Sequence, residues 1–320
     1  MPEEIKEQFH SSLFPPEIDI DLDEGPDGPS IANTPKRSIG KILVDAGVIS
    51  QDDAIRVMAY QREKGIRFGE AAIHMGLISE GDIRYALSYQ YEYAYLPRSA
   101  GKATNPELVA AYMPFSHEAD QLRAIRSQLK LRWFDGSDGH AMLPIIGAGR
   151  AEGGSYLAAN LAIVFAQMGE RTLLIDADMR TSRQHVLFQI NNQLGFSSLL
   201  AGRSDVASAL RSISYIPNLE VLPAGPIPPN PLELLNRANL TELLTWAGKT
   251  YDVVLIDTPS VSVGADAMLV AAKAGAAVVV ARANETKISA YTEMMEGLKR
   301  ANIKVVGAVL NNPPIIDVGA

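Results

Sequence analysis

The chain has 320 residues, 47% of them apolar, which is enough for a sizeable core and for more than one average domain. Its 37 acidic and 29 basic side chains leave a net charge of −8, which argues against nucleic acid as the main partner. There is no cysteine, which excludes disulfides and thiol catalysis and fits a cytoplasmic protein.

Residues 1–36 are acidic and rich in Pro, Gly and Ser (PPEIDIDLDEGPDGPS), with little to bury, and read as a disordered tail. The opening MPEEIKEQ lacks the pattern of a signal peptide. No apolar stretch reaches the roughly 18 residues of a membrane span. The best candidate, Val261 to Ala283, contains Asp266 and Lys273.

Residues 37–97 form the first predicted domain. SIGKILVDAGVISQDDAIRVMAYQ (Ser38 to Gln61) and RFGEAAIHMGLISEGDIRYALSYQ (Arg67 to Gln90) are each 24 residues long and are separated by REKGI. Gly40 matches Gly69, Gly47 matches Gly76, and Gln61 matches Gln90 at a fixed offset of 29. Two copies imply a duplicated helical unit, since a solenoid needs at least three. Ser50 and Ser79 are expected N-caps, each followed by acids in the first turn.

Tyr85, Tyr89, Tyr91, Tyr93 and Tyr95 then crowd one segment, and the alternation at 91, 93 and 95 fits a short strand. Residues 98–115 read as a linker with a short helix, leaving 116–320 as the second domain. Asp120, Arg123 and Arg126 follow at three-residue steps on one helix face, where they would form a solvated salt-bridge stripe.

Met142 to Ile146 is an apolar run followed by a loop containing Gly147, Gly149, Arg150, Gly153, Gly154 and Ser155, then by a helical pattern that stops at Gly169. A strand, glycine loop and helix in this order leave backbone N–H groups pointing into one concavity, a cradle for phosphate. A glycine loop alone is equally compatible with a purely structural βαβ turn. Leu173-Leu174-Ile175 delivers Asp176 and Asp178 to a strand end, and Val253 to Ile256 delivers Asp257. Carboxylates there can hold Mg²⁺ against a phosphate or orient a hydroxyl. With Ala276 to Ala281 and Val305 to Leu310, at least five buried strands alternate with helices. The expected fold is α/β, a doubly wound, mostly parallel P-loop sheet, with the ligand crevice at the strand carboxyl ends.

LLIDADMR, VVLIDTP and the intervening AGPIPPNPLELL (Ala224 to Leu235) resemble the bacterial tyrosine kinases of exopolysaccharide synthesis, and within them the stand-alone EpsG type. The resemblance runs from about Ser116 to Asn312. It implies ATP and Mg²⁺ as cofactors, Asp176, Asp178 and Asp257 as catalytic acids, and Ser155, Asp178 and Asp257 as metal ligands. It further implies Gly147 to Ser155 as the phosphate cradle and Asn311 near the base. Asp120, Arg123 and Arg126 would then form the subunit contact of a homo-oligomeric ring. The implied partner is a transmembrane chain-length determinant, which would hold the protein at the inner face of the cytoplasmic membrane.

Two departures stand out. The family's loop ends Gly-Lys-Ser/Thr, whereas Gly154 stands at the lysine position here. Losing one donor aimed at transition-state charge costs about 10²–10³ in rate, so binding could survive where catalysis falters. Arg150 is one candidate for the missing charge. The family also phosphorylates a tyrosine-rich C-terminal tail, while this sequence closes on PPIIDVGA. The acceptors are therefore elsewhere, with the cluster at 85–95 a candidate, or autophosphorylation is absent.

The duplicated unit resembles the N-terminal domain of type II secretion and type IV pilus ATPases, some of which bind cyclic di-GMP. The residues implied are Gly40, Gln61, Arg67, Gly69 and Gln90, although the first copy has Ser38 at the arginine position and Ala54 at a leucine position. A docking module without ligand fits the same residues. Two rivals to an active kinase remain: a degenerate regulator sensing nucleotide and cyclic di-GMP, and a partition-type ATPase. The latter is disfavoured because Gly149 occupies that group's signature lysine position.

Overall fold

The computed structural model describes residues 38–83, 86, 105–135 and 140–311. The acidic tail, the tyrosines from 85 to 95, Gln90 and Asn312 lie outside the described residues.

The duplicated unit contains α1 (Ile39–Asp45), α2 (Gln51–Lys64) and α3 (Phe68–His74), followed by helical residues 80–83. Ser50 caps α2 in a reciprocal box: its Oγ accepts from Asp53 N at 3.1 Å, and its own N–H faces Asp53 Oδ2. Ser79 repeats the pairing, donating from N to Asp82 Oδ2 at 2.8 Å. Ile42, Leu43, Val57, Ala71, Ala72 and Ile83 make a core of their own.

The two copies are nevertheless unequal inside. A Cβ on Gly69 would lie 2.6 Å from Ile83 Cδ1, so Gly69 makes room for a side chain of its own copy. The residue equivalent to Ile83 in the first copy is the smaller Ala54. There the space over Gly40 is taken instead by Phe68 of the second copy, 3.0 Å from where a Cβ would stand. Both glycines thus serve internal packing.

The α/β unit starts earlier than expected. The short helix α4 (Val109–Tyr112) buries Leu108, Ala110 and Ala111 in the main core, so residues 105–115 belong to that unit and not to a spacer. Next come α5 (His117–Arg132), β1 (Met142–Gly147), α6 (Gly154–Ala166), β2 (Thr172–Asp176), and the short helices α7 (Gln184–Leu187), α8 (Phe196–Leu200) and α9 (Val206–Ala209). Then follow β3 (Arg211–Ser212), β4 (Leu219–Leu222), α10 (Pro231–Leu235), α11 (Ala238–Thr250), β5 (Val253–Asp257), α12 (Asp266–Ala274), β6 (Ala276–Arg282), α13 (Ile288–Arg300) and β7 (Lys304–Asn311).

Seven strands form one sheet in the order β3-β4-β2-β5-β1-β6-β7, all parallel except the β3/β4 pair. The central strands are buried on both faces, which is why they read as continuous apolar runs. Side chains alternate between layers: Leu143, Ile145, Leu174, Val253 and Leu255 face α4, α5 and α6, while Leu173, Ile175, Val254 and Ile256 face α8, α10 and α11. Consecutive strands β1 and β2 lie on either side of β5, and β1 also pairs with β6, so the chain reverses direction across the sheet at β1. A ligand crevice belongs at the carboxyl ends there.

Asn160, fully buried on α6, ties α4 to this layer. Its Oδ1 accepts from Ala110 N at 3.0 Å and its Nδ2 donates to Glu107 O and Tyr156 O, each at 2.9 Å. Replacing it orphans those groups, at about 1–3 kcal/mol each when buried. Asn160→Ala is therefore expected to lower the urea midpoint with an unchanged slope; an unshifted midpoint would show that α4 is not anchored this way.

Candidate functional site

Parallel register sets the site. Cα partners along β2 and β5 bring Asp176 opposite Asp257, and Ile145 of β1 opposite Asp257 on its other side. Thr258 Oγ1 donates to Ile145 O at 2.7 Å, fixing the chain beyond β5 against β1. Asp176 and Asp257 are fully buried and Asp178 nearly so. Three carboxylates in one dry place repel one another.

The residue that makes this tolerable is Gln184, fully buried at the start of α7. Its backbone N–H donates to Asp176 Oδ2 at 3.0 Å, and its Nε2 donates both to Asp257 Oδ2 at 2.7 Å and to Ser155 O at 3.0 Å. One neutral side chain thus joins the loop to both strand ends. No local pattern in the sequence flags it, because its partners Asp176, Asp257 and Ser155 meet only in the folded sheet. Asp178 is held differently, accepting from Arg180 N, Thr181 N and Thr181 Oγ1 at 3.0, 2.8 and 2.7 Å. Of the three acids, Asp257 alone keeps a buried oxygen, Oδ1, without a hydrogen bond among the described residues.

Burial pushes the Asp257 carboxyl up to about 6 from its ordinary 3.8, against the opposing pull of the Gln184 amide and the nearby Ser155. Asp176 is pushed well up by burial and by the charge of Asp257.

The loop itself is braced from within. Ala151 and Gly153 turn the chain at φ 60° and 95°. Glu152 is buried, and its Oε1 accepts from Thr286 Oγ1 at 2.7 Å. A Cβ at Gly147 would lie 2.9 Å from Glu152 Oε2, and one at Gly149 would lie 3.0 Å from Oε1. These two glycines therefore accommodate the glutamate, a packing role that the cradle reading did not include. Asn311 Nδ2 donates to Glu152 O at 3.1 Å, and a Cβ on Gly153 would sit 2.0 Å from that nitrogen. The expected site residue Asn311 is thus brought directly against the loop. Arg150 is exposed at the loop tip, without a hydrogen bond or ion pair among the described residues. The space off Gly154 is open for 4 Å.

A Mg²⁺–phosphate group fits these residues on three counts. Helix α6 has no side-chain cap, leaving its first-turn N–H groups open to an anion. Ser155 is half buried on that first turn, and the unpartnered Asp257 Oδ1 supplies an anionic oxygen for a cation.

Asp120 and Arg123 pair at 2.7 Å on the surface of α5, whereas Arg126 Nη1 donates to Val164 O near the end of α6 at 2.9 Å. Arg126 is engaged within its own chain, at a helix terminus that favours a cation. Among the described residues no helix is long and apolar enough to cross a membrane.

A raised acid binds its proton more tightly folded than unfolded, so its contribution is full below the ordinary value and is lost as pH climbs through the folded one. For Asp257 that window is pH 3.8 to about 6. The nucleotide-free protein should melt at falling temperature across that window, and Asp257→Asn should flatten the slope; a parent curve identical to that of the variant would refute the assignment.

Residues 152–302 match the family model of an AAA domain. The chain is 36% identical over 216 residues to tyrosine-protein kinase YwqD of Bacillus subtilis, covering 68% of this chain and 90% of that protein. It is 34% identical over 206 residues to tyrosine-protein kinase wzc of Salmonella typhimurium, covering 64% of this chain but only 28% of that longer protein. Among solved structures, the kinase domain of Escherichia coli tyrosine kinase ETK aligns with a TM-score of 0.62 at 30% identity, over 71% of this chain and 92% of that domain. The chimerical protein CapA2B2 aligns at 0.61 and 33% identity, over 65% of this chain and 90% of that one.

Proposed function

The chain belongs to the bacterial tyrosine-protein kinase family, and from that premise we propose that it binds Mg·ATP in this crevice and passes the γ-phosphoryl group to a tyrosine hydroxyl. The observation that carries the reading is the Gln184 clamp, which holds Ser155, Asp176 and Asp257 together at the carboxyl ends of β2 and β5. Ser155 and Asp257, with Asp178, would hold the cation, whose chemistry is to neutralise charge on the β- and γ-phosphoryl oxygens. The N–H groups at the start of α6 would bind phosphate. The tyrosine oxygen bonds to Pγ as the bond from Pγ to the β–γ bridging oxygen breaks; ADP leaves, and the hydroxyl proton passes to one of the strand-end carboxylates. Asp176, whose carboxyl burial pushes well up, accepts from the Gln184 backbone N–H and so positions that residue.

By the same resemblance, the protein would act in a homo-oligomer with a membrane chain-length determinant in exopolysaccharide assembly. The decisive experiment incubates the purified chain with γ-labelled ATP and Mg²⁺, with and without the cytoplasmic segment of such a partner. Label on tyrosine, abolished in Asp257→Asn, is expected; nucleotide binding without any label would replace the kinase by the degenerate regulator that Gly154 favours.

That second reading gives the duplicated unit the task of sensing cyclic di-GMP. Arg67 is exposed and Gln61 half exposed, so both are open to a ligand, and arginine can pair with phosphate or stack on guanine. Calorimetry on the full chain should give heat with cyclic di-GMP that disappears in Arg67→Ala. A silent titration would leave only protein docking for this unit.

A further inference from the structure

The phosphate loop has no lysine and the space off Gly154 is clear, so a cation for the terminal phosphate has to come from elsewhere in the fold. Two arginines are on or against the loop, and a third, Arg183, directly precedes the Gln184 that bonds to Ser155 O. Arg150 is exposed at the loop tip. Arg282 donates from Nη1 to Ala151 O at 3.2 Å and from its backbone N–H to Thr286 Oγ1 at 2.8 Å, so it is part of the bracing around Glu152.

Arg183 is placed differently. It directly precedes Gln184, whose backbone is fixed on Asp176 and whose side chain reaches both Asp257 and Ser155. Its backbone is therefore anchored at the metal side of the crevice, one residue from the clamp. Its positive charge is felt at Asp257, where it acts to lower the carboxyl's pKa. The guanidinium Nη2 is paired at 2.7 Å with Glu107 Oε1, and the two side chains are 48% and 39% exposed. Glu107 belongs to the stretch that Asn160 ties to α6. An ion pair this exposed is worth little and exchanges readily.

We infer that Arg183 is the phosphate-binding cation that replaces the lysine missing at position 154, leaving Glu107 for the terminal phosphoryl group of bound ATP. The planar guanidinium offers two parallel N–H donors to phosphate oxygens, and its length suits an approach from the crevice wall instead of from the loop. The assignment rests on the ATP-binding reading above and adds a specificity to it: Arg183 should matter for ATP more than for ADP, which lacks the group it meets.

The test titrates the full chain with fluorescent ATP and ADP analogues in Mg²⁺. Arg183→Ala is expected to weaken ATP about tenfold to a hundredfold, the range for one charge-assisted contact, with ADP changed little. Glu107→Gln, which only releases the arginine, should leave ATP binding equal or tighter. Gly154→Lys placed in the Arg183→Ala background should restore ATP affinity, which repair of a merely structural defect would not do. Equal ATP affinity in the parent and in Arg183→Ala, or a loss that the lysine fails to rescue, overturns the assignment. A parent chain that binds neither nucleotide overturns the ATP reading itself, and that result is visible before any substitution is made.

Discussion

Two carboxylates lie opposite one another at the ends of β2 and β5, fully buried, and much of the site follows from making that arrangement stable. Neither can hold full charge in so dry a place without compensation. A lysine or arginine between them would neutralise one and remove its use to a cation. Gln184 satisfies both acids with N–H donors and brings no charge, while leaving Asp257 Oδ1 unpartnered. The same side chain reaches Ser155 O. Loop, strand ends and the start of α7 are thereby one connected polar network, and a change at any member is felt by the others.

The phosphate loop keeps its shape by a different set of contacts. Glu152 fills the space over Gly147 and Gly149, Thr286 donates to it, and Asn311 fills the space over Gly153. Glu152 belongs to the loop itself, whereas Thr286 and Asn311 reach it from the β6 and β7 side of the sheet. No lysine takes part in these contacts, so the loop presents its backbone N–H groups without one. Loop geometry and loop charge are separable, and they govern different quantities. Backbone donors contribute to binding in both ground and transition states, whereas a cation aimed at the terminal phosphate contributes most where charge develops.

The duplicated unit shows how two sequence-related copies become inequivalent once packed. Ile83 covers Gly69 within its own copy, but Ala54 is too small to cover Gly40, and Phe68 crosses from the second copy to do so. A core of alanines and a few branched residues in so short a stretch is a small one, and such domains have little stability to spare.

The central strands, the two acid-ended runs and the glycine loop were legible in the sequence because each is a local pattern. A strand buried on both faces must be continuously apolar, and a helix start that receives an anion must have small residues before it. The repeat and its serine caps were legible for the same reason, since a cap and its acid lie three residues apart. The short antiparallel β3 and β4 were not, being two and four residues long and too brief for any period to register. Sequence alone also left 105–115 as a linker, because the buried face of α4 is a few alanines whose partner, Asn160, is some fifty positions away. What the glycines make room for, which acid keeps a free oxygen, and where Gln184 and Arg183 stand were decided only by the tertiary fold. The physical reason is that each depends on side chains distant in the chain meeting at the ends of parallel strands, and strand register, not residue spacing, determines who meets there.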